Sequence, residues 1–334
     1  MIKNFLKSHS IHKKIVPLFD VIMLSRPTLF FSVWVMVCIG MYIGSIINDG
    51  VGNVQMNITT FDYSTFILFL GISLVCASTF ILNQISDLET DQINKKIFII
   101  NNVVSKEKAL MISKVVSVLG LISVAIIDWA VVFPLLLLYM FWGKLYNEER
   151  FNWKADPWLG LVCNVICGYL LILSGLIHKT SLSIYFENLV SCTIYIIPFL
   201  LAYSSIVLLA NIPDKDGDES IDKKTFTVIF GIRNTIMLST LLCLLSFIVG
   251  MYIGEPLSST SALSALPFFF FSIFRGKNKD IIRSIRYPIL LLNFYVLTIY
   301  PLLFFPVMIS YYITKYYYWH RFSIHYPTLL VDND

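Results

Sequence analysis

The sequence predicts an all-α, polytopic membrane protein, built as a single integral membrane domain with nine transmembrane helices around a central cavity. The 334-residue chain is 57% hydrophobic and only 14% charged, whereas an average soluble domain has about 25% charged residues. Its mean hydropathy is +0.75, and apolar runs of about 20 residues, the length that crosses a bilayer, recur throughout. The formal net charge of +4 gives no indication of nucleic-acid binding.

Nine apolar runs are the candidate spans. They cover roughly residues 21–47, 64–86, 109–127, 129–146, 157–177, 189–211, 234–254, 256–274 and 287–313. Residues 109–143 are divided because a single helix of that length would be about 52 Å long, more than the hydrocarbon core of a bilayer. Asp128 marks the expected turn between the two halves, and Pro134 is expected to kink the second half. A short tail follows the last span.

The distribution of lysine and arginine supports this count. With about 20 N-terminal residues placed in the cytoplasm, 22 of the 25 basic side chains fall in cytoplasmic segments, as the positive-inside rule requires. Only Lys179, Lys315 and Arg321 fall on the outer side. The sequence therefore predicts a protein of a prokaryotic cytoplasmic membrane, with its N-terminus and any active-site mouth facing the cytoplasm.

Two acidic clusters follow the second and the sixth apolar runs, which places both on the cytoplasmic side. In each cluster an asparagine precedes acids at four-residue spacing, a spacing that puts them on one face of a continuous helix. The first cluster is Asn83, Asp87 and Asp91, and the second is Asn211, Asp214 and Asp218. Mg²⁺ prefers a few carboxylates together with waters and phosphate oxygens. The clusters therefore indicate a site for a diphosphate held through divalent cations, which would neutralise it as a leaving group.

Basic side chains on the same side are candidates for direct phosphate contact. They are Arg26, Lys144, Arg150, Lys154, Lys223 and Lys224. For each of them, ordinary positive-inside charge is the alternative interpretation. Arg26 is distinguished because it directly abuts the first apolar run, before Pro27.

The pattern of these residues resembles the UbiA-type intramembrane prenyltransferase family over about residues 20–313. The first cluster, followed by Asn94 and Lys96, is similar to the family's first aspartate-rich motif. Asp214-x3-Asp218 is similar to the second motif. The two motifs together, at this separation, are more specific than either alone.

Further positions extend the resemblance, and others, among them Gln84, depart from it. Arg26 resembles the arginine at the start of the family's first helix, and Tyr146 resembles the tyrosine of its central tyrosine–basic segment. Either Arg150 or Lys154 could fill the basic position of that segment. Gln84 stands where many members have aspartate, which would remove one metal ligand.

The resemblance implies Mg²⁺-dependent transfer of an isoprenyl group from a prenyl diphosphate to a lipophilic, aromatic or isoprenoid acceptor within the lipid bilayer. The implied catalytic and metal-binding residues are Asp87, Asp91, Asp214 and Asp218, and the implied diphosphate-binding residues are Asn83, Arg26, Tyr146, Arg150, Lys154, Asn211 and Lys224. The prenyl chain would lie in the central cavity, where aromatic rings could stabilise an allylic cation. The candidate rings are Tyr139, Phe141, Trp142 and Tyr146. Residues 92–108 and 215–233 would close over the diphosphate as lids.

Two other classes of protein are alternatives. A secondary transporter with an acidic cytoplasmic gate would also carry charged residues in a helical bundle, but it would place them near the middle of the membrane. A CDP-alcohol phosphotransferase also binds Mg²⁺ and a diphosphate, but its single Asp-Gly-Ala-Arg-type motif is absent from the sequence.

Overall fold

The structure is a computed structural model that describes residues 10–50, 57–94 and 99–328, with side chains from residue 15 onward. The α-helices of these ranges are α1 (Ser10–Leu24), α2 (Phe30–Asp49), α3 (Tyr63–Ser86), α4 (Leu88–Ile93), α5 (Lys106–Ile127), α6 (Val132–Leu138), α7 (Pro157–Lys179), α8 (Leu182–Glu187), α9 (Leu189–Ala210), α10 (Lys215–Ser220), α11 (Phe226–Tyr252), α12 (Pro256–Arg275), α13 (Asn278–Ile299) and α14 (Phe304–Phe322). Apart from one isolated bridge, the described residues form no β-structure. The all-α prediction is confirmed.

Eight helical stretches of the described chain are long and apolar enough to cross a membrane. They are Pro27–Asp49, Tyr63–Ser86, Lys106–Ile127, Pro157–Lys179, Leu189–Ser220, Phe226–Tyr252, Pro256–Arg275 and Asn278–Ile299. The predicted fourth span corresponds to a shorter apolar stretch, Trp129–Leu145, which ends in a π-helix over Tyr139–Leu145. The predicted number of nine is therefore approximate, and the helix lengths are those of an integral membrane protein.

Carboxylates start or separate several spans at one end of the bundle, which we call the capped end. Asp62 precedes α3 and accepts a hydrogen bond from the backbone N–H of Thr65 at 2.8 Å. Glu255 precedes α12 and accepts two backbone N–H groups at 2.6 and 2.8 Å. Asp128 accepts a backbone N–H at 3.1 Å between the third and fourth predicted spans, where the sequence placed a turn. These side chains satisfy helix N-termini that would otherwise lack partners.

Two pairs of helices cross with their backbones in contact at glycine. A Cβ atom on Gly40 of α2 would lie 1.9 Å from the carbonyl oxygen of Ile172 in α7, and one on Gly175 would lie 2.0 Å from that of Val37. A Cβ on Gly120 of α5 would lie 2.6 Å from a carbonyl oxygen of α3. Small residues let membrane helices approach this closely, so these glycines set the spacing of the bundle.

The first span begins later than predicted. Arg26 has a left-handed backbone, with φ of 49°, and it separates α1 from the short 3-10 turn Pro27–Leu29 that leads into α2. A residue before proline is disfavoured in the right-handed helical conformation. The predicted helix over 21–47 is therefore two elements, and its junction is at Arg26.

The predicted ninth span, 287–313, has the wrong boundaries. α13 begins two turns earlier, at Asn278, and ends at Ile299. Pro301 then starts a 3-10 turn, and α14 follows. Proline has no N–H group to continue a helical hydrogen-bond ladder, so the apolar run is interrupted there.

α14 runs back along the bundle. Its beginning is near the capped end, where the N–H of Thr59 donates to the carbonyl of Ile299 at 2.7 Å. Near its other end, Arg321 forms an ion pair at 3.3 Å with Asp20 of α1. The prediction that Arg321 lies opposite the acidic clusters, together with Lys179 and Lys315, is therefore wrong for Arg321. Pro301 reverses the chain, which a hydropathy profile does not show.

Candidate active site

The first acidic cluster lies where α3 gives way to α4. Asp87 occupies the junction, with the backbone values φ −102° and ψ 10°. The chain nevertheless keeps the four-residue hydrogen-bond spacing, from Asp87 N–H to Asn83 at 3.0 Å and from Asp91 N–H to Asp87 at 2.8 Å. Asp87 and Asp91 therefore lie on successive turns at the end of a membrane helix, as the sequence predicted.

The second cluster begins where α9 ends. Asn211 is the C-cap residue that directly follows α9, and Asp214 closes a 3-10 turn before α10. Asp218 is buried within α10. The two clusters contact each other, because the side-chain oxygen of Asn94 accepts the N–H of Gly217 at 3.1 Å. A Cβ at Gly217 would lie 2.4 Å from the Asn94 amide, so a larger residue here would displace the Asn94 side chain from this hydrogen bond. We call this part of the bundle the acidic end.

One lysine joins the clusters. The Lys223 ammonium lies 2.9 Å from an Asp87 oxygen and 3.6 Å from an Asp218 oxygen, and it donates to the Thr90 hydroxyl at 3.1 Å. A single cation is thus placed between one carboxylate of each cluster.

A second lysine binds the same carboxylate from the middle of the chain. Lys154 is buried, and its ammonium lies 2.6 Å from Asp87 and donates to the Ser86 hydroxyl. Arg150 is exposed and lies against the ring of Phe151. Of the two basic side chains that the sequence left open, the structure therefore brings Lys154 to the acidic cluster.

The two ammonium groups determine the charge state of Asp87. Burial raises the pKa of this carboxyl group, but the attraction of Lys154 and Lys223 outweighs it, so the pKa of Asp87 is lower than usual. Asp87 is therefore anionic at neutral pH.

Arg26 and Gln84 complete the other wall. The Arg26 guanidinium lies 3.6 Å from the buried carboxylate of Asp91. Gln84 is buried, and its amide donates to the carbonyls of Leu24 at 2.7 Å and Phe80 at 3.2 Å. This glutamine attaches α1 to α3, and that contact positions the segment carrying Arg26.

The remaining predicted residues lie at differing distances from the aspartates. Tyr146 is close to Asn164 and within electrostatic reach of Asp87 and Asp218. Asn83 and Asn211 are partly buried on the same end of the bundle. The Lys224 side chain is exposed, although its N–H donates to the carbonyl of Ala155 at 3.1 Å. Lys96 and part of the predicted lid 92–108 lie outside the described residues.

The sequence offered both Lys223 and Lys224 as candidates for phosphate contact, but only Lys224 was included among the implied diphosphate-binding residues. The difference arises in the turn after α10, where the N–H of Lys223 donates to the carbonyl of Asp218 at 2.9 Å. Asp222 adopts a left-handed conformation with φ of 56°. This turn directs the first of the two lysines inward, and adjacent residues of the same type carry no signal that distinguishes them.

The donor set fits a divalent cation that is shared with a ligand. Within the described ranges, no three His, Cys, Asp or Glu side chains are grouped closely enough to hold a metal ion by themselves. The four aspartates thus do not form a closed protein cage. The pair Asp87 and Asp218 already binds one cationic group between them, and its ligands are oxygens. Mg²⁺ is held in this way, by one or two carboxylates completed by waters and phosphate oxygens.

An apolar cavity of about 250 Å³ lies beside the acidic end. Phe80 and Trp142 line it, and each lies about one helical turn from the site residues Gln84 and Tyr146. Of the four aromatic residues that the sequence proposed, Trp142 is the one found among the described lining side chains. Its indole N–H donates to Asn164 at 3.0 Å. Tyr203, Phe199 and Phe269 also line the cavity.

Comparison with known proteins agrees with this architecture. The model of the UbiA prenyltransferase family matches residues 56–293. The structure is similar to a UbiA homolog from Archaeoglobus fulgidus bound to GPP and Mg²⁺, with a TM-score of 0.62 at 16% identity over 84% of this chain and 99% of that one. It is also similar to a structure of digeranylgeranylglyceryl phosphate synthase, with a TM-score of 0.56 at 16% identity over 87% of this chain and 99% of that one.

Two curated plant enzymes are similar in sequence. A coumarin 8-geranyltransferase from Citrus limon is 24% identical over 190 residues, which are 53% of this chain and 45% of that enzyme. A 2-acylphloroglucinol 4-prenyltransferase from Humulus lupulus is 24% identical over 197 residues, 54% of this chain and 45% of that enzyme. The chain thus spans less than half the length of these relatives.

Proposed function

We propose, from the premise that this chain belongs to the UbiA prenyltransferase family, that it transfers an isoprenyl group from a prenyl diphosphate to a lipophilic aromatic acceptor within the membrane. The observation that carries the proposal is the meeting of both aspartate clusters, through Lys223, at the end of the bundle beside an apolar cavity lined by Phe80 and Trp142. A prenyl diphosphate has the same two parts, a polyanionic head and an apolar chain.

The head would bind at the acidic end. Arg26, Lys154 and Lys223 place cationic groups within 4 Å of the aspartates, where phosphate oxygens could accept charge-assisted hydrogen bonds. Asp87 and Asp218, with Asp91 and Asp214 beside them, would hold Mg²⁺. When bound, Mg²⁺ supplies charge neutralisation of the diphosphate leaving group.

The chain would lie in the cavity. Breaking the allylic C–O bond leaves the electron pair on the diphosphate and a carbocation on the prenyl group. The walls of the cavity exclude water, which would otherwise capture this cation. Phe80 and Trp142 line the cavity, and their rings could stabilise the cation through their π faces. A ring carbon of the acceptor then forms the new C–C bond and loses its proton.

An electron-rich phenol is the proposed acceptor. The two plant relatives are named for coumarin and acylphloroglucinol substrates, which are hydroxylated or oxygenated aromatic rings. Such rings attack carbocations through carbon, as the proposed reaction requires.

Family membership and the site favour a transferase over the two alternatives. The clustered aspartates lie at helix ends, whereas a transporter's ionisable groups are expected near the middle of the membrane.

We further propose that the acidic end faces the cytoplasm, as the positive-inside bias suggests. Cysteines introduced at Asp49 and Lys179 should then react only with reagents added outside, and one at Lys224 only with reagents added inside. Labelling of all three from one side would contradict this orientation.

The reaction is tested by incubating the purified full-length protein with Mg²⁺, a prenyl diphosphate and a panel of phenols. We expect a product whose mass equals the phenol plus the prenyl group minus one hydrogen atom, with release of diphosphate and a proton. The Asp87→Asn protein is the matched control. Release of diphosphate without any prenylated phenol would contradict the proposed acceptor, and the absence of both would contradict the transferase itself.

A further inference from the structure

We propose that a second anion site binds the phosphate of an anionic phospholipid. It lies between α12 and α13 on the surface of the helical bundle, away from the central cavity. It is a pocket of about 210 Å³ lined by Phe268, Phe271, Arg275, Asp280, Arg283 and Tyr287. The central cavity is lined by a different face of the same helices, which includes Ala265 and Phe269 of α12 and Ile289 of α13. The two sites are therefore separated by the helices themselves.

The pocket is built around one buried carboxylate. Asp280 is 2% exposed, and it binds Arg275 at 3.1 Å and Arg283 at 3.3 Å. The two guanidinium groups come from different helices and are both held at the pocket by this one carboxylate. Arg275 also lies 5.9 Å from the centre of the Phe271 ring, which further restricts its orientation.

The arrangement has more donors and more positive charge than the carboxylate can satisfy. Each guanidinium offers about five N–H donors, whereas a carboxylate accepts about four hydrogen bonds in total. Two arginines and one aspartate leave one positive charge in excess. Both arginine side chains remain partly exposed, at 42% and 33%. A phosphate group supplies the acceptors and the negative charge that complete such a fork.

A structural role explains only part of this pocket. One arginine would suffice to link α12 to α13 through Asp280, and Arg275 at a helix C-terminus is favourable in any case. The second arginine adds charge that is not neutralised within the pocket. This excess positive charge distinguishes a ligand-binding site from a purely structural link between α12 and α13.

The surroundings favour a lipid as the source of the phosphate. Phe270, Phe271 and Phe274 are exposed on the last turns of α12, just before the helix ends at Arg275. Exposed rings followed at once by an arginine mark the level where acyl chains meet headgroups. A phospholipid could place its phosphate between the arginines and its acyl chains along these rings.

The test measures which lipids remain bound to the full-length protein. The protein is reconstituted in nanodiscs of phosphatidylglycerol and phosphatidylcholine, and the retained lipids are counted by native mass spectrometry. We expect preferential retention of phosphatidylglycerol by the parent protein. Arg283→Gln and Arg275→Gln should each weaken this retention about tenfold, the effect of losing one charge-assisted contact. Lys277→Gln is the matched control, because it removes the same charge from an exposed position in the same loop, and it should retain the lipid.

Asp280→Asn separates binding from structure. If Asp280 only links α12 to α13, then Asp280→Asn and both arginine variants should all lower thermal stability. In that case lipid retention should not depend on the charge of the lipid. In a lipid site, Asp280→Asn removes the competing negative charge but keeps an amide oxygen that can accept from an arginine, so retention of phosphatidylglycerol is kept or increased. If Arg283→Gln does not fold, Arg283→Lys carries the test, since it keeps the charge and loses the fork. Equal retention by the parent and the arginine variants would overturn the proposal, as would equal thermal stabilisation by inorganic phosphate and phosphatidylglycerol.

Discussion

The two ends of the bundle use the same side chain at the same helical position in opposite ways. At the capped end, Asp62 and Glu255 precede their helices and accept backbone N–H groups through their side chains. At the acidic end, Asp87 and Asp214 occupy the N-cap positions of α4 and α10, but within the described chain neither makes a side-chain cap hydrogen bond. The carboxylates of one end accept the protein's own backbone N–H groups, whereas Asp87 at the other is bound by the ammonium groups of Lys154 and Lys223.

This difference shows what separates a structural carboxylate from one available to a ligand. A backbone N–H is fixed, so a carboxylate that caps it has a permanent partner. A lysine ammonium is carried on a flexible stem, so under the proposed function the contacts of Asp87 with Lys154 and Lys223 would be exchanged for contacts with a metal ion and phosphates. The position of an acid on a helix does not reveal which case applies, but the nature of its partner does.

The largest expected effect tests whether the carboxylates of the acidic end are the functional ones. Asp87→Asn and Asp218→Asn keep the side-chain shape and remove the charge. We expect kcat for prenyl diphosphate turnover to fall about a hundredfold or more, as the loss of several kcal/mol of charge stabilisation requires. Glu89→Gln and Glu219→Gln are matched controls, because both side chains are exposed, and they should keep most activity. Parent-like turnover of Asp87→Asn and Asp218→Asn would show that the two-cluster site is wrong.

The next prediction sharpens the assignment of the mobile partners. Lys154→Gln and Lys223→Gln should each lower kcat/KM about tenfold or more, since each removes a charge-assisted contact. Arg150→Gln and Lys224→Gln remove the same charge from exposed neighbouring side chains and should have little effect. The measurement is steady-state turnover for all four proteins. Equal losses for Lys154→Gln and Arg150→Gln, or for Lys223→Gln and Lys224→Gln, would mean that overall charge, and not position, determines activity.

At the capped end the expected effect is on stability. Glu255 is fully buried, and besides the two backbone N–H groups it accepts the Tyr42 hydroxyl at 3.0 Å. Glu255→Ala leaves these donors without their acceptor and should lower the free energy of unfolding by about 1–3 kcal/mol or more. Glu255→Gln retains one oxygen and should cost less. Thermal unfolding in detergent measures both, and kcat of the folded fraction should be unchanged. A loss of kcat without a loss of stability would contradict this structural role and would group Glu255 with the carboxylates of the acidic end.

The smallest effect concerns Asp62 and depends on pH. Hydrogen bonds from Thr65 and Ser64 lower the pKa of Asp62 to about 2, below the value of about 3.9 for an unfolded aspartate. The stabilisation is therefore present above about pH 4 and is lost as the pH falls towards 2. Asp62→Ala should lower stability by about 1 kcal/mol at pH 7, and its difference from the parent should shrink at pH 3. A difference that grows on acidification would contradict the cap.

The sequence predicted most of the fold because apolar length is a direct requirement of the bilayer. It did not predict the return of α14, since the apolar run continues through Pro301 and only local geometry interrupts it. It predicted both aspartate clusters because their spacing is periodic. It left Lys154 and Arg150 as alternatives and chose Lys224 over Lys223, because each pair lies near a turn with a left-handed residue, Asn152 or Asp222, and the direction of side chains in such turns has no sequence period.

The crossing of α2 and α7 at Gly40 and Gly175 has a mechanical consequence for the cavity. A carbonyl oxygen occupies the place of each missing side chain, so neither helix can roll or slide against the other without a steric clash. Both helices line the cavity, through residues such as Ile39 and Leu171, and together they form its stiff wall. We therefore expect any widening of the cavity to involve the other helices that line it, such as α12 and α13, which contribute Phe269 and Ile289.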